Sequence, residues 1–408
     1  MSTLPRRTAI AVFLAFACAY FLSALIRAVT ATLSPVLTQE FALNASDLGL
    51  LAGGYFLGFA TTQLPLGTWL DRHGPSTVIL YFLSVAVMGC IAFSYATSFP
   101  GLLAGRILCG VGVSACLMAP LTGYRRWFEA ATLMRANSWM LMTGSFGMVA
   151  STLPVQWLMP LLGWRMLFWG LALLLLLAMI LIRWQVPRWN VTVPDVAGPK
   201  AGYAEVWKHS YFRKMTPIGF FCYGGLVAIQ TLWATPWMIK VGGYSAAQAA
   251  SGLFWINISM LCAFWTWGMV NPWLVRHGYD ADWMIARGLP LSFLVLAALI
   301  VAGPSASTLT GALWALYCVT CTFVTLAQPA VGMAFASAVA GRALSAYNLV
   351  VFAGVFVVQW GIGLAVDGFK ALGWSEVQAF QSAMSVFLLC SVLSYFYFLA
   401  AKSHNRRT

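Results

Sequence analysis

Apolar runs of about twenty residues or more, broken by short polar turns, recur along the whole chain. A spanning helix needs about 20 mainly apolar residues. Runs near 9–36, 47–70, 76–96, 101–123, 137–160, 165–183, 214–238, 247–274, 283–303, 308–333, 344–366 and 379–400 therefore predict twelve membrane-spanning helices. The alternating pattern of an outer-membrane barrel is missing, so the predicted class is an all-α membrane protein. The first run exceeds the ~7 to 15 residues of a secretory signal core and reads as a retained helix. The longest polar break holds Pro187, Pro194, Gly198, Pro199 and Gly202. Six spans precede it and six follow. The expected organisation is a six-helix bundle over 1–183, a cytoplasmic linker over 184–213 and a second six-helix bundle over 214–408.

The two halves repeat. Trp69-Leu70-Asp71-Arg72-His73-Gly74 returns 204 residues later as Trp273-Leu274-Val275-Arg276-His277-Gly278, with the carboxylate replaced by valine. Gly144 and Gly163-Trp164 return 210 residues later as Gly354 and Gly373-Trp374. Parallel repeats of this kind imply a pseudo-two-fold axis along the membrane normal and a binding site near the midplane between the halves. That symmetry belongs to transporters.

Composition agrees: 61% of residues are hydrophobic, 8% are charged and the mean hydropathy is +0.83. With the N-terminus inside, 18 Lys and Arg fall on inner segments, whereas only Arg165, Lys240 and Lys370 lie at outer ends. The net +13 is then mostly a topology signal with both termini in the cytoplasm, and a nucleic-acid partner is not expected. The nine cysteines all lie in apolar runs, so neither a disulfide framework nor a metal site is indicated, and no cofactor is expected. His73, His209, His277 and His404 all fall in cytoplasmic segments. No nucleophile, base or metal cluster therefore shares one depth, which excludes the usual makings of a membrane enzyme. A monomer in a cytoplasmic (inner) membrane is expected.

Gly67-Thr68-Trp69-Leu70-Asp71-Arg72-His73-Gly74-Pro75 is similar to motif A of the major facilitator superfamily, and Gly105-Arg106-Ile107-Leu108-Cys109-Gly110-Val111-Gly112 to its helix-4 motif. The resemblance covers essentially the whole chain. It implies a major facilitator fold, alternating access, and a cytoplasmic gate in which the Asp71 carboxylate meets a helix N-terminus and a basic residue. Gly67, Asp71, Arg72 and Gly74 would form the turn, with Arg125 or Arg126 as the partner. The alternative is a polar turn that only sets topology.

Only Arg27 and Arg106 sit well inside apolar runs, where an arginine costs at least about 2.5 kcal/mol. At about 1.5 Å per residue they lie roughly 13 Å and 8 Å from the outer ends of their helices. Tyr20, Ser23, Arg27, Thr30 and Ser34 follow 3,4,3,4 spacing and form one stripe expected to face a wet cavity. Tyr223, Gln230, Trp233 and Trp237 on helix 7, with Tyr317, Cys321 and Gln328 on helix 10, extend the candidate site. No Asp, Glu or His accompanies the arginines at this depth. Fixed positive charge favours an anion, and guanidinium matches a carboxylate in bidentate fashion. The pair resembles the organic-anion symporter and organophosphate exchanger branches. Expected is a secondary transporter of a small carboxylate-type anion, coupled to a proton or to an exchanged anion. The alternative is an exporter of amphipathic or aromatic compounds, suggested by 15% aromatic residues and 19 tryptophans.

Overall fold

The computed structural model describes residues 4–187 and 203–401, and the secondary structure there is helical. Arg188, Lys200, Lys402, Arg406 and Arg407, which contribute to the inner-charge expectation, lie outside the described residues, as does the middle of the linker.

The first six helices are α1 (Arg6–Phe41), α2 (Ala45–Thr61 continued by Gln63–His73), α3 (Pro75–Tyr95), α4 (Phe99–Val113 continued by Ala115–Trp127), α5 (Ala130–Ala150 continued over 153–162) and α6 (164–185). The other six are α7 (Ser210–Lys240), α8 (Ala246–Arg276), α9 (Ala281–Ala302), α10 (310–333), α11 (Ser337–Ala371) and α12 (Glu376–Ala400). A short helix, Tyr203–Lys208, precedes α7. Judged by length and composition alone, nine continuous stretches among the described residues could cross a membrane. Local breaks explain why that number is smaller than twelve. The 53-residue stretch Ala281–Met333 contains α9 and α10, parted at Gly303 (φ 48°) and Ser307 (φ 38°). Leu153–Gln185 joins the end of α5 to α6 across Gly163 (φ 70°). Helix α2 breaks at Thr62, three residues before Pro65, whose ring crowds the carbonyl four residues back.

The sequence repeat is a repeat of backbone. Gly74 and Gly278 have φ of 77° and 84°, and Gly163 and Gly373 have 70° and 87°. These are left-handed conformations that cost an L-residue roughly 1–2 kcal/mol, so glycine recurs where the chain must turn between rods. Gly144 and Gly354 recur for another reason. A Cβ at Gly144 would sit 2.5 Å from the Tyr20 ring, and one at Gly354 would overlap the Phe220 carbonyl. The glycines let α5 lie against α1 and α11 against α7.

The chain divides into two compact units, Met1–Val29 with Gly54–Lys200, and Thr30–Gly53 with Ala201–Thr408. In the first, Phe93 stacks on Phe168 at 4.2 Å and meets Trp164 edge-on at 5.5 Å. The Cys90 and Cys109 sulfurs touch at 3.8 Å. In the second, Trp237 and Trp314 pack edge to face at 5.9 Å, and Trp233 donates its indole N–H to the Gln359 carbonyl at 3.0 Å. Helix α7 begins four residues before its apolar run because Tyr211 and Lys214 are held by Asp282, at 2.7 and 2.6 Å.

The glycines of α4 set how deep that helix sinks. A Cβ at Gly110 would overlap the Tyr55 carbonyl and one at Gly112 the Ala86 nitrogen, both rigid backbone atoms. Gly110→Ala is expected to lower stability by about 1–3 kcal/mol through overpacking. Gly67→Ala, where the added methyl meets nothing within 4 Å, is the control and is expected to change little. Thermal unfolding of the two purified variants makes the comparison.

Candidate functional site

The close approach of α4 carries Arg106 to α1. Its side chain is fully buried and its Nη1 donates to the Ile26 carbonyl at 2.9 Å, so the second arginine grips the helical turn that bears the first. The guanidinium carbon lies 5.1 Å from the centre of the Tyr55 ring. Tyr55, itself fully buried on α2, donates its hydroxyl to the Ser23 carbonyl at 3.4 Å. Arg106 Nε and Nη2 are buried with no hydrogen-bond partner, and so is Arg27 Nε. Nε and Nη2 form one edge of the guanidinium plane, the edge that pairs side-on with a carboxylate. Arg27 is only half-buried. Tyr55 lies within electrostatic reach of both arginines and Tyr20 within reach of Arg27. The first unit thus brings together Tyr20, Ser23, Arg27 and Arg106, and adds Tyr55. The lone tyrosine among Gly53, Gly54 and Gly58 was the signal for it.

The α1 stripe is drier than its spacing suggests. Tyr20, Ser23, Thr30 and Ser34 are buried, and Ser34 returns its hydroxyl to the Ala31 carbonyl at 2.8 Å. Tyr20 is occupied in packing on Gly144. A 3,4 stripe marks any buried face, including one that meets a neighbouring helix. Within the stripe, Arg27 stays partly accessible.

The remaining candidates, Thr30, Tyr223, Gln230, Tyr317 and Gln328, belong to the second unit. Helix α7 has two π-helical turns, Gly219–Tyr223 and Ile229–Trp233, a geometry enriched at functional sites. The first ends on half-buried Tyr223. The second turns Gln230 toward Asn257, its Nε2 donating to Oδ1 at 2.8 Å, and Thr231 toward Gln359, whose Nε2 donates to the threonine oxygen at 3.0 Å. Gln328 Nε2 donates to Asn348 Oδ1 at 2.7 Å, whereas Tyr317 is buried against Trp314. Asn257, Asn348 and Gln359 are amides inside apolar runs, which is a signal legible in the sequence. Trp233 and Trp237 are fully buried, so they are core residues of this unit.

At the α2–α3 turn, Gly74 closes α2 by donating its N–H to the Leu70 carbonyl at 2.9 Å. Asp71, Arg72 and Arg125 are exposed, Arg126 is half-buried, and neither Asp71 nor Arg126 is free of interactions. The corresponding turn at Gly278 lacks a carboxylate at Val275, but Asp280 caps α9 by accepting the Trp283 N–H at 2.7 Å, and Asp282 takes the Lys214 ion pair. The second half has kept its carboxylates on the far side of the turn.

The sequence profile of the Major Facilitator Superfamily matches residues 16–359. Curated relatives include a 4-hydroxybenzoate transporter of Acinetobacter baylyi, 24% identical over 60% of this chain and 63% of that protein. A probable L-galactonate transporter of Escherichia coli is 21% identical over 62% and 56%, and a probable sulfoacetate transporter of Cupriavidus necator is 24% identical over 57% of each. The chain spans less than two thirds of the length of these relatives. Among solved structures, a bacterial homolog of the human lysosomal transporter Spinster, inward-facing and unoccupied, superposes with a TM-score of 0.78 at 17% identity, covering 98% of both chains. A D-xylose-proton symporter gives 0.77 at 14%, covering 96% of this chain and 98% of its own. At these identities the likeness is one of fold.

Proposed function

The chain belongs to the Major Facilitator Superfamily; on that premise we propose that it is a multi-pass membrane transporter that carries a small organic anion of the carboxylate type across the cytoplasmic membrane by alternating access. The observation that carries this reading is the Ile26–Arg27 turn. It holds two guanidinium groups with unpartnered donors, in spans without an acidic side chain at that depth. Arg27, half-accessible, takes the anion. Arg106, sealed, fixes the turn and adds a second positive charge. The substrates named for the three relatives all contain a carboxylate, which supports the class. With no buried carboxyl beside the arginines among the described residues, the cycle is an exchange of anions, a uniport, or a symport whose proton travels on the substrate. Five of the 19 tryptophans that suggested an exporter sit in core or surface positions. Trp233, Trp237 and Trp314 are core, while Trp157 and Trp184 are 68% and 76% exposed on helix exteriors. Both termini are placed in the cytoplasm by this reading, on the charge split.

Purified protein screened by thermal shift against a panel of organic acids tests it. A ligand at a hundred times its Kd adds about 2.7 kcal/mol, so the carried acids should raise the midpoint, less so at high salt. Stabilisation by neutral or cationic compounds and by none of the acids would overturn it.

The α2–α3 turn is the cytoplasmic gate in the same reading, with Gly67 and Gly74 shaping it and Asp71, Arg72, Arg125 and Arg126 supplying charge. A carboxylate near a helix N-terminus gains roughly 0.3–1 kcal/mol, and more when partly buried. Asp71→Asn removes that from one conformation alone, and about 1.4 kcal/mol shifts such an equilibrium tenfold. Transport by this variant in proteoliposomes is expected to fall several-fold while anion affinity changes less. Normal transport would reduce Asp71 to a polar turn residue.

A further inference from the structure

Any helix leaves its first four N–H groups without partners inside the helix. At the start of α2 all four are satisfied, and two of them by a residue more than 300 positions away. Asp47 N–H reaches the Asn44 side-chain oxygen at 2.7 Å and Leu48 N–H the Asn44 carbonyl at 3.1 Å. Ala45 and Ser46 instead donate to the two carboxylate oxygens of Asp367 on α11, at 3.2 and 2.7 Å. Beyond this cap the two helices run on as a seam of backbone against backbone. A Cβ at Gly363 would overlap the Ala45 carbonyl, and one at Gly49 the Gln359 carbonyl; one at Gly53 would meet the Phe356 ring at 3.0 Å. The seam covers 356–367 on α11, roughly 16 Å at 1.5 Å per residue.

Helix α2 crosses a boundary where this contact ends. Residues up to Gly53 belong to the unit that contains α11, and from Gly54 the same helix belongs to the other unit; α1 changes unit in the same way after Val29. The seam is therefore made by a piece of chain covalently continuous with the opposite unit. Its chemistry suits opening. Glycine backbones separate without leaving interlocked side chains, and Asp367, Ala45 and Ser46, all partly accessible, can be hydrated once apart. The strained turn before α2, with Ala42 at φ 50°, persists only where its surroundings hold it, and the cap is one of the things that holds it.

We propose that Asp367 is the latch that closes the end of α2 remote from the Gly74 turn, the outer end in the orientation proposed above, and that the latch is released when the transporter opens to that side. It is a positioning residue, acting on the equilibrium between conformations and not on the carried molecule. The proposal rests on the alternating-access reading, but it is independent of what is carried.

The test needs no substrate, so an error in the substrate class cannot be mistaken for a failure of the latch. Leu48, 6% exposed beside the cap, is replaced by cysteine in the full-length protein. Its reaction with a membrane-impermeant maleimide applied from outside is timed, with the parent protein as blank. Asp367→Asn is expected to speed labelling about tenfold, and Asp367→Glu to restore much of the slow rate. Ala45→Pro removes one of the two donors at a first helical position where proline is well tolerated, and is expected to speed labelling as Asp367→Asn does. A merely structural cap predicts a lower thermal midpoint with no faster labelling in either variant, and that result overturns the proposal. Failure of both variants to fold also overturns it, because a contact that must part in every cycle cannot be indispensable to the fold.

Discussion

Arg27→Lys is expected to weaken binding of the carried anion by about 10- to 100-fold while the protein still folds. Lysine keeps the charge but loses the planar fork, and its ammonium is a compact, strongly hydrated point charge. A hydrogen bond to a charged group is worth about 1.5–3 kcal/mol, and each 1.4 kcal/mol is a factor of ten in affinity. The site amplifies the difference because Arg27 Nε is buried without a partner in the protein, so a bound carboxylate meets a donor that no other protein group occupies. The side chain is half-accessible, so the fold should tolerate its replacement. Calorimetry with an acid identified by thermal shift measures the effect. Unchanged affinity in the lysine variant would remove Arg27 from the site.

Arg106→Met should separate stability from transport in the opposite way. Burying a guanidinium costs several kcal/mol even after the protein relaxes. The visible compensation is one charged hydrogen bond, to Ile26, and one aromatic face, Tyr55, worth about 1.5–3 and 0.5–2 kcal/mol. Two donors remain unpaired. Replacing buried charge by an apolar side chain of similar volume is often neutral or stabilising by about 1–4 kcal/mol, and methionine adapts to irregular space. The thermal midpoint is therefore expected to hold or rise. Transport in proteoliposomes is expected to fall at least about tenfold, since the turn bearing Arg27 loses its anchor and the site half its charge. A lower midpoint with intact transport would make Arg106 purely structural.

Much of this was legible in the sequence because the signals are expensive to place by accident. Arginine inside an apolar run carries a penalty that stands out in any window, and Arg106 of α4 bonds the turn of α1 that bears Arg27. Glycines repeated at half-chain spacing mark backbone conformations that other residues resist, and all four turn glycines have positive φ. Facing is what hydropathy cannot give. A tryptophan turned toward lipid and one in a bundle core read alike, so Trp233 and Trp237 could not be assigned until their surroundings were seen. Nor can spacing tell a wet stripe from a packed one, which is why Ser23 and Thr30 resembled cavity residues and are buried. Pairing between residues far apart in the chain is also silent in sequence. Asp282 with Lys214 moved the start of α7, and Asp367 beneath α2 looked like an ordinary charge at a helix end.

The bond from Arg106 to Ile26 has a consequence for how the molecule is made. Its two ends are 80 residues apart in synthesis, and α1 has left the ribosome long before α4 emerges. A span holding an arginine inserts at a penalty of about 2.5–3.5 kcal/mol when alone, and the carbonyl that relieves part of it is on the first helix. A helix α1 still beside the insertion site when α4 arrives offers that carbonyl and lowers the penalty. The first and fourth helices therefore gain by meeting during insertion, before the later spans are made.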